Sequence, residues 1–124
     1  IYDDAICVIA ADGSFRSFNA NTDPSVYRKG IATLKPGIYE VVRHKHKGCY
    51  DALQIVCDTV NRDGQSGDDV GRHGINIHYG GERQTWSEGC QTLPKSSYWN
   101  FLRLVYGLMD KFGLTKITYL LIEY

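Results

Sequence analysis

Two residues of this sequence can do chemistry together. His78 closes the apolar run Ile75-Asn76-Ile77 and is followed by Tyr79-Gly80-Gly81. Cys90 ends the segment Ser87-Glu88-Gly89-Cys90, just past Thr85-Trp86. Twelve positions separate the histidine from the cysteine, and Gly80, Gly81 and Gly89 lie between them. That length, with that bending freedom, lets an imidazole and a thiol return to one another in space. A Cys–His pair is the minimal equipment for acyl transfer through a thioester, because the imidazole takes the proton and the sulfur attacks a carbonyl.

Such a thiol has to ionise near neutral pH, whereas free cysteine titrates near ~8.5. His78 can help in either of two ways, as a general base or as the cation of an ion pair. Gly89 permits close approach of a substrate. The backbone N–H groups around Gly89 and Cys90 are candidates for an oxyanion hole. Ser87 and Tyr79 are candidates to hold the imidazole or to complete that hole. The imidazole also needs an orienting acceptor, for which a backbone carbonyl would serve. Trp86 is the aromatic residue expected at the site.

With the order Ile-His, then Gly, then Ser-x-Gly-Cys, the chain resembles the L,D-transpeptidases, cysteine enzymes of bacterial cell walls with a β-rich catalytic domain. In that family a histidine follows an apolar strand and a Ser-His-Gly-Cys-Arg/Asn motif carries the nucleophile. Upstream, Thr33-Leu34-Lys35-Pro36-Gly37-Ile38-Tyr39-Glu40-Val41 is similar to the family's Thr-Pro-x-Gly-x-aromatic-x-Val strand. The likeness covers roughly residues 30–92 at the level of motifs. Glu88 stands where the family has a second histidine, and Gln91 replaces the Arg or Asn. The His-to-Cys spacing is shorter than the family's.

The resemblance implies Cys90 as nucleophile, His78 as base and no cofactor or metal. It implies a single L,D-transpeptidase-like β-sandwich domain over residues 1–124, acting on peptidoglycan stem peptides as a transferase or a hydrolase. The departures fit a divergent branch of the kind found in phage-encoded or cell-wall-lytic proteins. The compartment follows from the substrate: periplasm, cell surface, or a phage particle that delivers the domain there. The stem peptide carries carboxylates, so Arg72 and Arg83, which flank the catalytic strand and loop, are candidate substrate-binding cations. Glu88 either raises the thiol pKa as a neighbouring acid or faces away and binds a substrate amine.

Two readings compete. In the first, His44, His46 and Cys49 belong to a zinc site, because two imidazoles two residues apart share one side of a strand. The tract Arg43-His44-Lys45-His46-Lys47 is strongly basic, however, and clustered cations oppose a further cation, so an exposed strand end with a turn at Gly48 is expected instead. Asp63, Asp68 and Asp69 do not have the spacing of an EF-hand loop. In the second reading the domain is a non-catalytic cell-wall or glycan-binding module that uses some of its 9 tyrosines and 2 tryptophans for stacking. Such a module gives no reason for a histidine-tipped strand and a Gly-Cys turn to coexist.

The elements that must position this pair are mostly strands. An apolar stretch from Ala5 to Ala11 ends at Asp12-Gly13, a hairpin signal, and Ser14 to Asn19 returns. Lys35-Pro36-Gly37 is a turn that launches a strand from Ile38 to Arg43. Leu53 to Cys57 leans to β structure. Asn61 to Gly74 reads as a long polar loop and Gly74 to His78 as the next strand. Tyr98, Phe101, Leu102, Val105, Met109 and Phe112 form an apolar stripe at helical period, with Pro94 at its start and Gly113 past its end. Thr115 to Ile122 is expected to be a buried terminal strand. The sum is a mainly β domain with one substantial helix packed on it, an α+β class.

The composition excludes several functions. Lys+Arg 14 against Asp+Glu 14 leaves no broad field for nucleic acid or for a membrane surface. No run of the sequence is long and apolar enough for membrane insertion. Ile1 stands in place of an initiator methionine, and Met109 is the single methionine, so the chain reads as a processed protein or a domain of a longer polypeptide. Of the 4 cysteines, Cys7 and Cys57 sit in apolar runs and are expected to be buried thiols.

Overall fold

The Asp12-Gly13 turn folds β1 (Asp4–Ile9) back onto β2 (Phe15–Ala20), pairing Ile9 with Phe15 and Asp4 with Ala20. Gly13 has φ +88°, which a side chain would disfavour, and its N–H bonds to the Ala10 carbonyl. The computed structural model describes residues 2–21, 32–34, 36–62, 68–81 and 91–122; the side chains of residues 32, 33, 57–62 and 68–74 are outside that description.

The remaining strands make one sheet. β4 (Gly37–His46), β5 (Tyr50–Arg62) and β6 (Asp68–Gly80) run antiparallel in sequence order. The short β3 (Ala32–Leu34) pairs with the far end of β5. β7 (Gln91–Pro94) lies parallel to β6 on one flank, and β8 (Lys116–Leu121) lies antiparallel to β4 on the other. Asn21, just past β2, exchanges two backbone hydrogen bonds with Thr92, at 2.8 and 2.9 Å, and so ties the hairpin to β7.

The helix α1 (Lys95–Lys111) starts directly from β7. Its buried residues Tyr98, Phe101, Leu102, Val105 and Met109 are five of the six expected stripe residues; the sixth, Phe112, stands at the C-cap and is exposed. Gly113 follows at φ +64°, and the Leu114 N–H closes the last turn on the Met109 carbonyl at 2.8 Å. One core joins this stripe to Phe18 of the hairpin and to Val41, Leu53, Ile55, Ile75 and Ile77 of the sheet. Lys111 pairs with Asp12 at 2.8 Å, tying the end of the helix to the hairpin turn. The molecule is therefore mainly β with one helix.

Three expectations need correction. Asn61 to Gly74 is not a long loop, because β5 extends to Arg62 and β6 begins at Asp68, with pairs from Asn61–Asp68 to Cys57–His73. Ladder pairing satisfies the backbone of this polar stretch, and tertiary context overrides its weak β propensity. The terminal strand is not buried: in β8 residues alternate between exposed and half-buried, with Leu120 57% exposed, as suits a strand hydrogen-bonded to β4 alone among the described elements. Cys7 is exposed rather than buried, because the alternation of β1 sends Ile6 inward and Cys7 outward. Cys57 has its side chain outside the description.

The sheet curls far enough for its two flanks to meet. The Tyr119 hydroxyl on β8 donates to Oε1 of Gln91 on β7 at 2.9 Å. Gln91 is fully buried, and burial pushes the Tyr119 phenol well above its ordinary pKa. Tyr119→Phe deletes this tie and is expected to cost about 1–2 kcal/mol, read as a lower urea midpoint with an unchanged slope.

Candidate functional site

β6 alternates between two faces. Ile75, Ile77 and Tyr79 point to the side carrying α1, and Asn76 and His78 point to the other. His78 is only 4% exposed. Its Nδ1 lies 2.8 Å from the carbonyl oxygen of Tyr79. A carbonyl only accepts, so Nδ1 carries the proton and Nε2 carries the lone pair. The orienting acceptor that the sequence required is thus the next residue's own backbone.

Burial is the main force on this imidazole and pushes its pKa down to about 4. The Tyr79 carbonyl pulls it up in part, while His46 and Lys47 push it further down. At neutral pH the ring is an uncharged base. Of the two roles open to it, general base fits this state, and a standing imidazolium does not.

His46 is the residue that the sequence reading placed wrongly. It is 8% exposed, not part of an exposed strand end, and its ring stacks on His78 with centroids 4.2 Å apart and planes 18° from parallel. Nδ2 of Asn76 donates to Nδ1 of His46 at 2.9 Å, which leaves the His46 proton on Nε2. His44 and Cys49, its partners in the zinc reading, are exposed, and the Cys49 thiol bonds the Lys47 carbonyl at 3.4 Å. Among the described residues no group of three His, Cys, Asp or Glu is placed to hold a metal ion.

The contact of the two rings is built by the β4–β5 turn. Lys47 and Gly48 both have positive φ, 51° and 69°, and the Cys49 N–H closes on the His46 carbonyl at 2.9 Å. That is the pattern of a type I′ hairpin turn, whose twist matches the strands. On the intervening β5, Ala52 is paired with His44, one step from the Leu53–Ile77 pair. Its small, fully buried side chain leaves room for the rings to meet.

Tyr79 supports the imidazole by its carbonyl and not by its phenol. Its ring packs toward α1, 5.7 Å from Tyr98 and 6.2 Å from Trp99, with the Lys95 ammonium 4.9 Å from its centroid. Gly80 and Gly81 are buried, and the Tyr2 hydroxyl donates to the Gly81 carbonyl.

Cys90, Gly89, Ser87, Glu88, Trp86 and Arg83 lie outside the described residues, as does the side chain of Arg72. The residue bonded to Cys90 is described. Gln91 opens β7 level with Ile77, and Thr92 is level with His78. Gln91 is fully buried and its Oε1 accepts from the Tyr119 hydroxyl, so it anchors the strand. Thr92 is fully buried too, and its Oγ1 meets no hydrogen-bond partner among the described residues.

Sequence reasoning missed His46 and Asn76 as parts of the site. Asn76 had a local signal, since it is two residues before His78 on the same strand face. His46 had none, because only the packing of β4 and β6 about β5 brings it to His78. Comparison with family models, with curated proteins and with solved structures returns no match.

Proposed function

We propose that this domain is a cysteine-dependent acyltransferase or hydrolase acting on peptidoglycan stem peptides, with an L,D-transpeptidase-like β-sandwich architecture. One observation carries the reading. A buried, neutral histidine has its Nδ1–H fixed by a backbone carbonyl and its Nε2 left basic, on the strand beside the one that follows Cys90. Consecutive Cα atoms are about 3.8 Å apart and neighbouring strands about 4.8 Å. Gln91, the residue bonded to Cys90, is level with Ile77, the residue before His78.

In the proposed reaction Nε2 of His78 accepts the Cys90 thiol proton as sulfur attacks the stem-peptide carbonyl. The tetrahedral oxyanion is held by the backbone N–H groups of Gly89 and Cys90. The C–N bond then breaks, the leaving amine takes the proton from His78, and a thioester remains. Water or a second amine attacks the thioester and gives up its proton to His78. The C–S bond breaks, and that proton returns to the sulfur. Ser87 supports the site, Trp86 and Glu88 contact the substrate, and Arg72 and Arg83 take its carboxylates. No cofactor enters. The proposed setting is the periplasm, the cell surface or a phage particle. No helix among the described residues is long and apolar enough to cross a membrane.

The test is mass spectrometry of muropeptides incubated with the protein and with Cys90→Ala. Trimmed stems, cut cross-links or new ones, absent with the variant, support the proposal and identify the acceptor as water or amine. Unchanged muropeptides with a folded protein and a free Cys90 thiol defeat it and favour a binding module.

A further inference from the structure

His46 has no part in the proton transfers above, yet its ring stacks on the candidate base. We propose that His46 is a positioning residue: held uncharged by Asn76 and stacked flat on His78, it fixes the plane of the basic imidazole and keeps water from one of its faces. The inference rests on the reading of His78 as the base.

Three observations carry it. The rings are 4.2 Å apart and 18° from parallel, so the His46 ring lies flat against one face of His78. The Asn76 amide donates to Nδ1 of His46 at 2.9 Å, and a proton at Nδ1 would then face a donor. That arrangement selects the neutral Nε2–H tautomer and opposes an imidazolium against the base. The His78 ring is pinned in its own plane by the Tyr79 carbonyl at 2.8 Å. One contact therefore fixes rotation within the plane and the other fixes tilt. A base whose lone pair is aimed before substrate arrives loses less freedom in the transition state.

The groups around the pair, among the described residues, agree with an uncharged stack. Burial, and then Lys47 in the turn and His44 on β4, disfavour a proton on His46. Tyr50 of β5 packs at 5.4 Å from His46, and Tyr79 of β6 at 4.7 Å from Tyr50. The nearest carboxylate on β5, Asp51, is committed to Lys45 at 2.8 Å.

The experiment is NMR titration of the ring nitrogens in labelled protein, with the His78 signal assigned through His78→Gln, alongside pH profiles of muropeptide turnover. His46→Phe keeps an aromatic face and is expected to leave the His78 midpoint and kcat nearly unchanged. His46→Ala opens the face to water. It is expected to raise the proton affinity of His78 about tenfold, one pH unit in midpoint, and to lower kcat about tenfold with little change in KM. Asn76→Asp offers Nδ1 an acceptor, so His46 becomes a cation and the His78 midpoint falls further. A His46→Ala midpoint equal to that of the native protein, or a His46→Phe midpoint displaced as far as that of His46→Ala, overturns the proposal. A displaced midpoint in a protein with no turnover on any muropeptide upholds the stack and defeats the acyl-transfer reading. Turnover with an immovable midpoint does the reverse.

Discussion

His78→Gln is expected to lower kcat/KM on muropeptides by about two to four orders of magnitude, the range that a positioned general base contributes. Glutamine keeps the approximate volume and a hydrogen-bond donor toward the Tyr79 carbonyl but has no basic nitrogen. The native protein should hold its activity into mildly acidic solution, because the imidazole stays unprotonated until its pKa of about 4. The variant should behave differently. Without the base, attack depends on thiolate already present, so its residual activity should climb with pH toward the ordinary cysteine range near ~8.5. Rate profiles from pH 5 to 9 for both proteins provide the check. A variant that keeps the native profile would remove His78 from the mechanism.

A second large effect is on stability. Unfolded, His78 takes up a proton near its ordinary pKa of 6.5; folded, burial delays that to about 4. Between these values the unfolded chain binds more protons than the native one, so stability rises with pH across the window and is lost as pH falls from 6.5 to 4. At 1.36 kcal/mol per pH unit this one buried ring accounts for about 3 kcal/mol, a large part of an ordinary domain's stability. His46, also held below its ordinary pKa mainly by burial, acts in the same direction. His78→Gln should therefore flatten the acid side of a plot of unfolding free energy against pH. Urea denaturation at half-unit steps from pH 4 to 8 measures it, and parallel curves for the two proteins would show that the ring is not buried neutral.

Local pattern determined a good deal on its own. The hairpin at Asp12-Gly13 and the helix from Lys95 to Lys111 were legible because turn chemistry and a period of 3.6 are properties of neighbouring residues. The strand that presents His78 was legible for the same reason, as a β-branched run ending in glycines. The need for an orienting carbonyl was also readable, since imidazole chemistry demands it whatever the fold. The extent of β5 and β6 was not, because their polar halves have weak intrinsic preference and gain order only by pairing with each other.

Tertiary structure alone decided which residues surround the base. His46 looked like part of a basic, exposed tract until the β4–β5 turn carried it over Ala52 onto His78. Gln91 had no structural role legible in the sequence until the curl of the sheet set it against Tyr119, 28 positions away. The half-open β8 likewise depends on which strands find a second neighbour. Sequence determines an element when its stabilising contacts lie within a few residues. It leaves open whatever depends on register and sheet curvature, because those are set by contacts between segments that share no local pattern.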